Sequence, residues 1–214
     1  MTEQMSGPDA SHERALHAMG HLRVAGVDEV GRGPLAGPVT AAAVVLDIAT
    51  IPQGVNDSKK LTAVSRAALS KQIHDVAEVA IAHASVAEID EINILRASHL
   101  AMIRAIAALK PAPDFVLIDG NMIPNGLTLP ARNVVGGDGR SLSIAAASIV
   151  AKTSRDRLMM DLARQYPGYG WDTNMGYGSK RHREALQNLG VTPHHRRSFK
   201  PVHNILYQAK SVST

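Results

Sequence analysis

VAGVDEVGRGPLAGPVTAAAVVLDI, residues 24–48, places an apolar run, two adjacent acids, a glycine-rich turn and a second apolar run in one stretch. Leu22 to Asp28 predicts a short strand, Gly31 to Gly37 a turn, and Val39 to Ile48 a second strand. The second run is continuously apolar, as a strand is when both faces of its sheet are covered.

The flanking sequence supplies the covering helices. A helix is predicted from Thr62 to Asp75, with Thr62 as N-cap, then a strand from Val76 to Ser85. Residues 88–109 read as one amphipathic helix, with Ile89, Ile92, Leu95, His99, Met102, Ile106 and Leu109 at helical spacing, ended by Pro111 and Pro113. Phe115 to Ile118 and Ala131 to Val135 are short strands. An alanine-rich helix from Ser141 to Arg164, a loop from Tyr166 to Gly178 and a helix from the cap Ser179 to Leu189 follow. Strands alternating with helices, then a helical basic tail, make an α/β fold with a mixed β-sheet.

A length of 214 residues, 45% of them hydrophobic, accommodates one domain with a helical appendage. Residues 1–20 read as a flexible lead with a loose helical turn and 21–203 as the folded domain, with 204–214 as a tail. Phe, Trp and Tyr number only seven, so the core is aliphatic. The absence of cysteine excludes disulfides, a thiolate nucleophile and thiolate metal sites, leaving oxygen or imidazole as metal ligands. The first 20 residues lack the pattern of a signal peptide, and no apolar run approaches membrane-spanning length, so a cytoplasmic protein is expected.

Charge is unevenly distributed. Residues 1–151 carry 12 basic and 15 acidic side chains; residues 152–214 carry 11 and 4. The basic half suits either a nucleic-acid partner or a merely solvated surface. Lys59, Lys60, Lys152, Arg155, Lys180, Arg181, Arg196, Arg197 and Lys200 are candidate phosphate contacts.

The acids are more informative. Asp28 with Glu29, and Asp119, stand where an apolar strand meets a glycine turn, and Asp138 lies in VVGGDG before the alanine-rich helix. Strand ends are where α/β folds gather sites, although acids there also serve as ordinary turn formers and caps. Strict alternation sends Asp28 and Glu29 to opposite faces, so the strand is expected to break at Glu29 if both serve one site. Clustered carboxylates repel unless a cation lies between them, and hard oxygen ligands suit magnesium or manganese. A pair of such ions about 3.5–4 Å apart supports in-line phosphodiester hydrolysis. The loop GRGPLAG matches no nucleotide-binding fingerprint, but its bare backbone permits close approach of a ligand. Tyr177, between glycines, is either a packing anchor or a ring exposed to a sugar or base. His182, His194 and His195 lack the spacing and partners of a zinc finger.

Taken together, GVDEVGRGPLAGPV (26–39), NDSKKL (56–61), VLIDGN (116–121), VVGGDGR (134–140), IAAASIVAKTSRD (144–156), MGYGSKRH (175–182) and HHRRSFKPV (194–202) resemble bacterial ribonuclease H of type two. The resemblance runs from Val24 to Val202. It implies an RNase H-like sheet flanked by helices, with a C-terminal helical region that helps hold an RNA–DNA hybrid. It further implies that Asp28, Glu29, Asp119 and Asp138 hold manganese or magnesium, with two ions in the substrate complex. The backbone of Gly31, Arg32 and Gly33 would read the ribose 2′-hydroxyl, and Tyr177 would check the junction between ribonucleotide and deoxyribonucleotide. Lys59, Lys152, Arg155, Lys180 and Arg196 would contact substrate.

An enzyme of this kind cleaves the RNA strand of hybrids and incises 5′ of single ribonucleotides in duplex DNA, leaving 3′-hydroxyl and 5′-phosphate ends. A monomer is expected. Met175 departs from the family, which commonly has lysine before the Gly-Tyr pair. A nuclease restricted to long hybrids and a binding module without catalysis are the rival readings.

Overall fold

The glycine turn joins β1 (Val24–Val30) to β2 (Val39–Leu46) as an antiparallel pair, with Asp28 opposite Ala42 and Glu29 opposite Ala41. This is a computed structural model, and it describes residues 7–207. Before the pair lies α1 (Ser11–Ala18); after it come α2 (Ala63–Val76) and β3 (Ala77–Ala84). Next are α3 (Val86–Ile92), α4 (Ile94–Ala108), β4 (Phe115–Asp119) and β5 (Ala131–Val134). A single 3-10 turn (Gly137–Gly139) leads into α5 (Leu142–Gln165), followed by α6 (Trp171–Asn174), α7 (Lys180–Leu189) and α8 (Lys200–Tyr207). The sheet order is β3-β2-β1-β4-β5; β2 is antiparallel to both neighbours, whereas β4 is parallel to β1 and β5. The expected mixed sheet is therefore present, with helices on both faces.

Small residues set how closely those helices approach. A Cβ added at Gly26 would lie 2.1 Å from the Ser143 carbonyl carbon, so α5 rests directly on the backbone of β1. Ala145, Ala146, Ala147 and Ala151 are fully buried along α5, packed with Ala42, Val44, Leu69 and Ile73. The other face buries Val27, Ala41, Ala43 and Ile118 against Ala101, Met102 and Ile106 of α4. A third apolar cluster holds the C-terminal region against α5, with Trp171 completely buried among Leu35, Met159, Leu162, Tyr169, Leu186 and Val202.

Several boundaries differ from expectation for identifiable reasons. The continuous helix over 88–109 is broken at Asn93, which has φ +69° and whose side chain accepts hydrogen bonds from the N–H groups of Leu95 and Arg96. Apolar spacing continues across the break because both helices face the same core, so periodicity conceals it. The loop expected over 166–178 contains the one-turn helix α6.

Within the expected lead the helical turn is the two-turn helix α1, docked on the domain. Asp9 bridges to Ser141, and α1 turns Glu13 inward, where one carboxylate oxygen accepts from the Ser141 hydroxyl (2.6 Å), the Ser143 hydroxyl (2.5 Å) and the Ser143 N–H (2.9 Å). Glu13 thus supports the first turn of α5, where backbone N–H groups lack helical partners. Residues 1–6 and 208–214 lie outside the described residues, as does most of the expected tail; α8 carries the fold through Tyr207.

These contacts give measurable consequences. Gly26→Ala should destabilise the fold by about 1–3 kcal/mol, through forced separation of α5 from β1, and lower the urea midpoint. Glu13→Ala should cost about 1–3 kcal/mol by stranding the Ser141 and Ser143 donors. An unchanged midpoint in either variant would contradict the corresponding contact.

Candidate metal and nucleic-acid site

Asp28 and Glu29 both remain within the β1–β2 ladder, so the expected strand break at Glu29 does not occur. The sheet opens on the other side. Pairing of β1 with β4 ends at Val27 and Ile118, and Asp119 is the last residue of β4. The two carboxylates thus point to opposite faces beside a strand that has stopped, and Asp119 lies at the gap between them. Asp138 joins from the 3-10 turn before α5 and is buried there.

The electrostatics record this convergence. Burial raises the proton affinity of Asp28 well above the usual carboxylate range, and the charges of Glu29, Asp119 and Asp138 add to the effect, with the Ser148 hydroxyl opposing it. Burial likewise raises Glu29, opposed by Arg32 and reinforced by Asp119. Asp119 is raised by burial, partly offset by a 2.7 Å hydrogen bond from the Gly137 N–H. A Cβ on Gly137 would meet Ile144 Cδ1 at 2.6 Å, so glycine permits that turn to approach. Positive charge reaches the rim through Lys59, whose Nζ lies 3.2 Å from Asp138, and Arg32, 3.3 Å from Glu29. Among the described residues, no three Asp, Glu or His side chains form a closed ligand set. The acids converge without closing, and an all-carboxylate donor set is the chemistry of hard divalent cations.

The adjoining glycine loop is held from beneath. Arg196 is fully buried and donates to the carbonyls of Gly31 (2.6 Å), Arg32 (2.9 Å) and Gly37 (2.9 Å). Arg155, also fully buried, donates to Pro38 (3.0 Å), Ala36 (3.1 Å) and Met175 (2.9 Å). Burial lowers their pKa values to about 10 and about 9 for Arg155 and Arg196, so both stay charged at neutral pH.

Both residues were expected at phosphates. Their location corrects that expectation, because neither guanidinium reaches the surface and each is occupied by main-chain oxygens. In a trans peptide the N–H points opposite to the C=O, so the Arg32 and Gly33 amides face away from Arg196. A Cβ on Gly33 would sit 3.4 Å from the Tyr177 ring, which is 47% exposed; the ring and the loop are neighbours.

The remaining basic candidates divide. Lys180 is exposed, with only a distant Glu184 contact of 3.9 Å, whereas Lys152 is half-buried and held at 2.7 Å by Asp156. Sequence reading missed Ser148, whose hydroxyl offsets part of the raised proton affinity of Asp28 and lies 2.7 Å from the Ser58 hydroxyl. It also missed a cavity of about 230 Å³ beside Glu29 and Asp119, lined by Arg32, Ser98, His99 and Asn121. The available signal was His99, a polar residue on the otherwise apolar face of its helix. A larger depression of about 780 Å³, bordered by Arg14, Asp47 and Glu78, lies at the far end of the strands from all four acids.

A model of the ribonuclease HII family matches residues 25–202. Ribonuclease HII of Ruegeria pomeroyi is 72% identical over 95% of this chain and 87% of its own length. The corresponding protein of Cereibacter sphaeroides is 66% identical over 98% of this chain and 99% of its own. Among solved structures, ribonuclease H2 from Pyrococcus horikoshii superposes with a TM-score of 0.75 at 27% identity, covering 89% of this chain and 100% of that one. By sequence over nearly its whole length, and by fold, the chain belongs to the ribonuclease HII family.

Proposed function

We propose that this protein is an endoribonuclease that hydrolyses the RNA strand of RNA–DNA hybrids and incises 5′ of single ribonucleotides in duplex DNA, leaving 3′-hydroxyl and 5′-phosphate ends. The observation that carries the reading is the convergence of four acids where β4 stops, beside an outward-facing backbone loop and an exposed tyrosine.

Asp28, Glu29, Asp119 and Asp138 would hold manganese or magnesium, two ions in the substrate complex, which supply water activation and neutralise charge on the leaving oxygen. The donor set fits such ions, since the acids repel one another and their burial leaves that repulsion poorly screened. The Glu29 N–H orients Asp28 (2.7 Å), and the Gly137 N–H orients Asp119. The Arg32 and Gly33 amides offer donors to a ribose 2′-hydroxyl, the group that distinguishes RNA from DNA. Tyr177, packed beside Gly33, presents its ring to the following sugar at the junction. Lys180 would meet phosphate directly, whereas Lys59, Arg32 and Lys152 would do so on leaving Asp138, Glu29 and Asp156.

The catalytic unit is taken as residues 21–203 together with the docked α1. No helix among the described residues is long and apolar enough to cross a membrane. A monomer working in the cytoplasm is part of the same reading.

Asp28→Asn or Asp119→Asn should reduce metal-dependent incision by on the order of 10²-fold or more. Asp28→Asn should also leave metal-free thermal stability unchanged or higher, because it removes a buried, repelled charge. Near-normal turnover in a folded variant would overturn the metal assignment. In hybrid-binding titrations, Lys180→Ala should lower the salt slope by about 1, whereas a surface lysine with no phosphate contact would leave it unchanged.

A further inference from the structure

Two histidines that the proposed chemistry does not use form a hydrogen-bonded chain whose proton positions follow from its ends. The Thr192 N–H donates to His195 Nδ1 (3.0 Å), so that nitrogen must be the acceptor and His195 must carry its proton on Nε2. His195 Nε2 lies 3.0 Å from His182 Nε2 and donates to it; the Trp171 indole N–H converges on the same acceptor at 3.0 Å. His182 therefore carries its proton on Nδ1, which faces the Tyr177 carbonyl at 2.8 Å. Two nitrogens are shared acceptors in this arrangement: His182 Nε2 takes the His195 and Trp171 N–H groups, and His195 Nδ1 the Thr192 N–H and hydroxyl. Both rings are essentially inaccessible to solvent, and burial pushes the His195 pKa down to about 3, keeping the ring neutral in ordinary buffers.

The backbone of the same segment holds the other recognition element. Ala36 pairs with His195 in an isolated bridge, Gly37 N–H donates to the His194 carbonyl (2.9 Å) and Arg196 N–H donates to the Leu35 carbonyl (2.8 Å). Residues 192–196 thus reach the glycine loop through their main chain and Arg196, and Tyr177 through His195 and His182.

We infer that His195 is a positioning residue for ribonucleotide recognition, acting through His182 to fix the Tyr177 main chain relative to the glycine loop. The inference rests on the proposed role of Tyr177. Removing the His195 donor leaves the Trp171 N–H as the remaining donor to His182 Nε2, so the ring re-centres on the indole, shifts the Tyr177 carbonyl that its Nδ1–H holds, and changes the distance of the Tyr177 ring from Gly33. A displacement near 1 Å is enough to alter turnover substantially.

The test has two independent arms. Nitrogen-15 NMR of histidine-labelled protein should show His195 as the Nε2–H tautomer and His182 as the Nδ1–H tautomer at neutral pH; either ring in the opposite tautomer would overturn the chain. In the second arm, kcat/KM is measured on a duplex with one ribonucleotide and on a uniform RNA–DNA hybrid for Tyr177→Ala, His195→Phe and His195→Gln. His195→Phe should lower the single-ribonucleotide to hybrid ratio about tenfold, His195→Gln, which retains an N–H donor, should lower it less, and the Tyr177→Ala/His195→Phe double variant should be no worse than Tyr177→Ala. If Tyr177→Ala lowers the ratio but His195→Phe does not, the relay is wrong and the tyrosine reading stands. If Tyr177→Ala leaves the ratio unchanged, the tyrosine reading fails and takes the positioning role with it. Should His195→Phe fail to fold, the tautomers and His195→Gln decide the matter.

Discussion

The close seating of α5 on the bare backbone at Gly26 governs the site more than any polar contact. That one helix brings Ser148 to Asp28, carries Arg155 beneath the glycine loop, and follows directly from the turn that holds Asp138. Its alanines keep the spacing small, and Glu13 supports its first turn. A side chain at position 26 would move several parts of the site at once, because close-packed interiors transmit such displacements.

Stability and chemistry pull against each other at the acids. Asp28, Glu29 and Asp119 are all raised in proton affinity by burial, and each feels neighbouring negative charge. An arrangement of that kind weakens the fold locally, and cations entering it would relieve the repulsion. The buried arginines beneath the loop show a different solution. Their charges are met by main-chain carbonyls, so holding the loop's oxygens inward also turns adjacent amides outward.

Much of this was legible in the sequence because local rules and tertiary demands agreed. The two strands around the glycine turn, the Thr62 and Ser179 caps and the alanine-rich helix all lie close to their predicted positions. The positions of Asp28, Glu29 and Asp119 beside glycine turns, and of Asp138 just before the alanine-rich helix, were visible too. The break at Asn93 was hidden by uninterrupted apolar spacing, and Glu13 resembled an ordinary surface acid because its buried partners are 128 and 130 residues away. Arg155 and Arg196 looked like phosphate ligands because composition cannot separate an arginine facing solvent from one holding backbone oxygens. Met175, which stands where the family commonly has lysine, adopts φ +49°, and its carbonyl is one of those held by Arg155.

The central claim is that one site joins metal-dependent cleavage to recognition of ribose. The direct measurement is incision of an end-labelled DNA duplex with one embedded ribonucleotide, with and without manganese or magnesium, alongside an all-DNA duplex and a long RNA–DNA hybrid. The account predicts metal-dependent cleavage of the hybrid, a single cut 5′ of the ribonucleotide, and no cut in all-DNA. Cleavage of all-DNA, or an intact ribonucleotide-containing duplex under conditions where the hybrid is degraded, would contradict it.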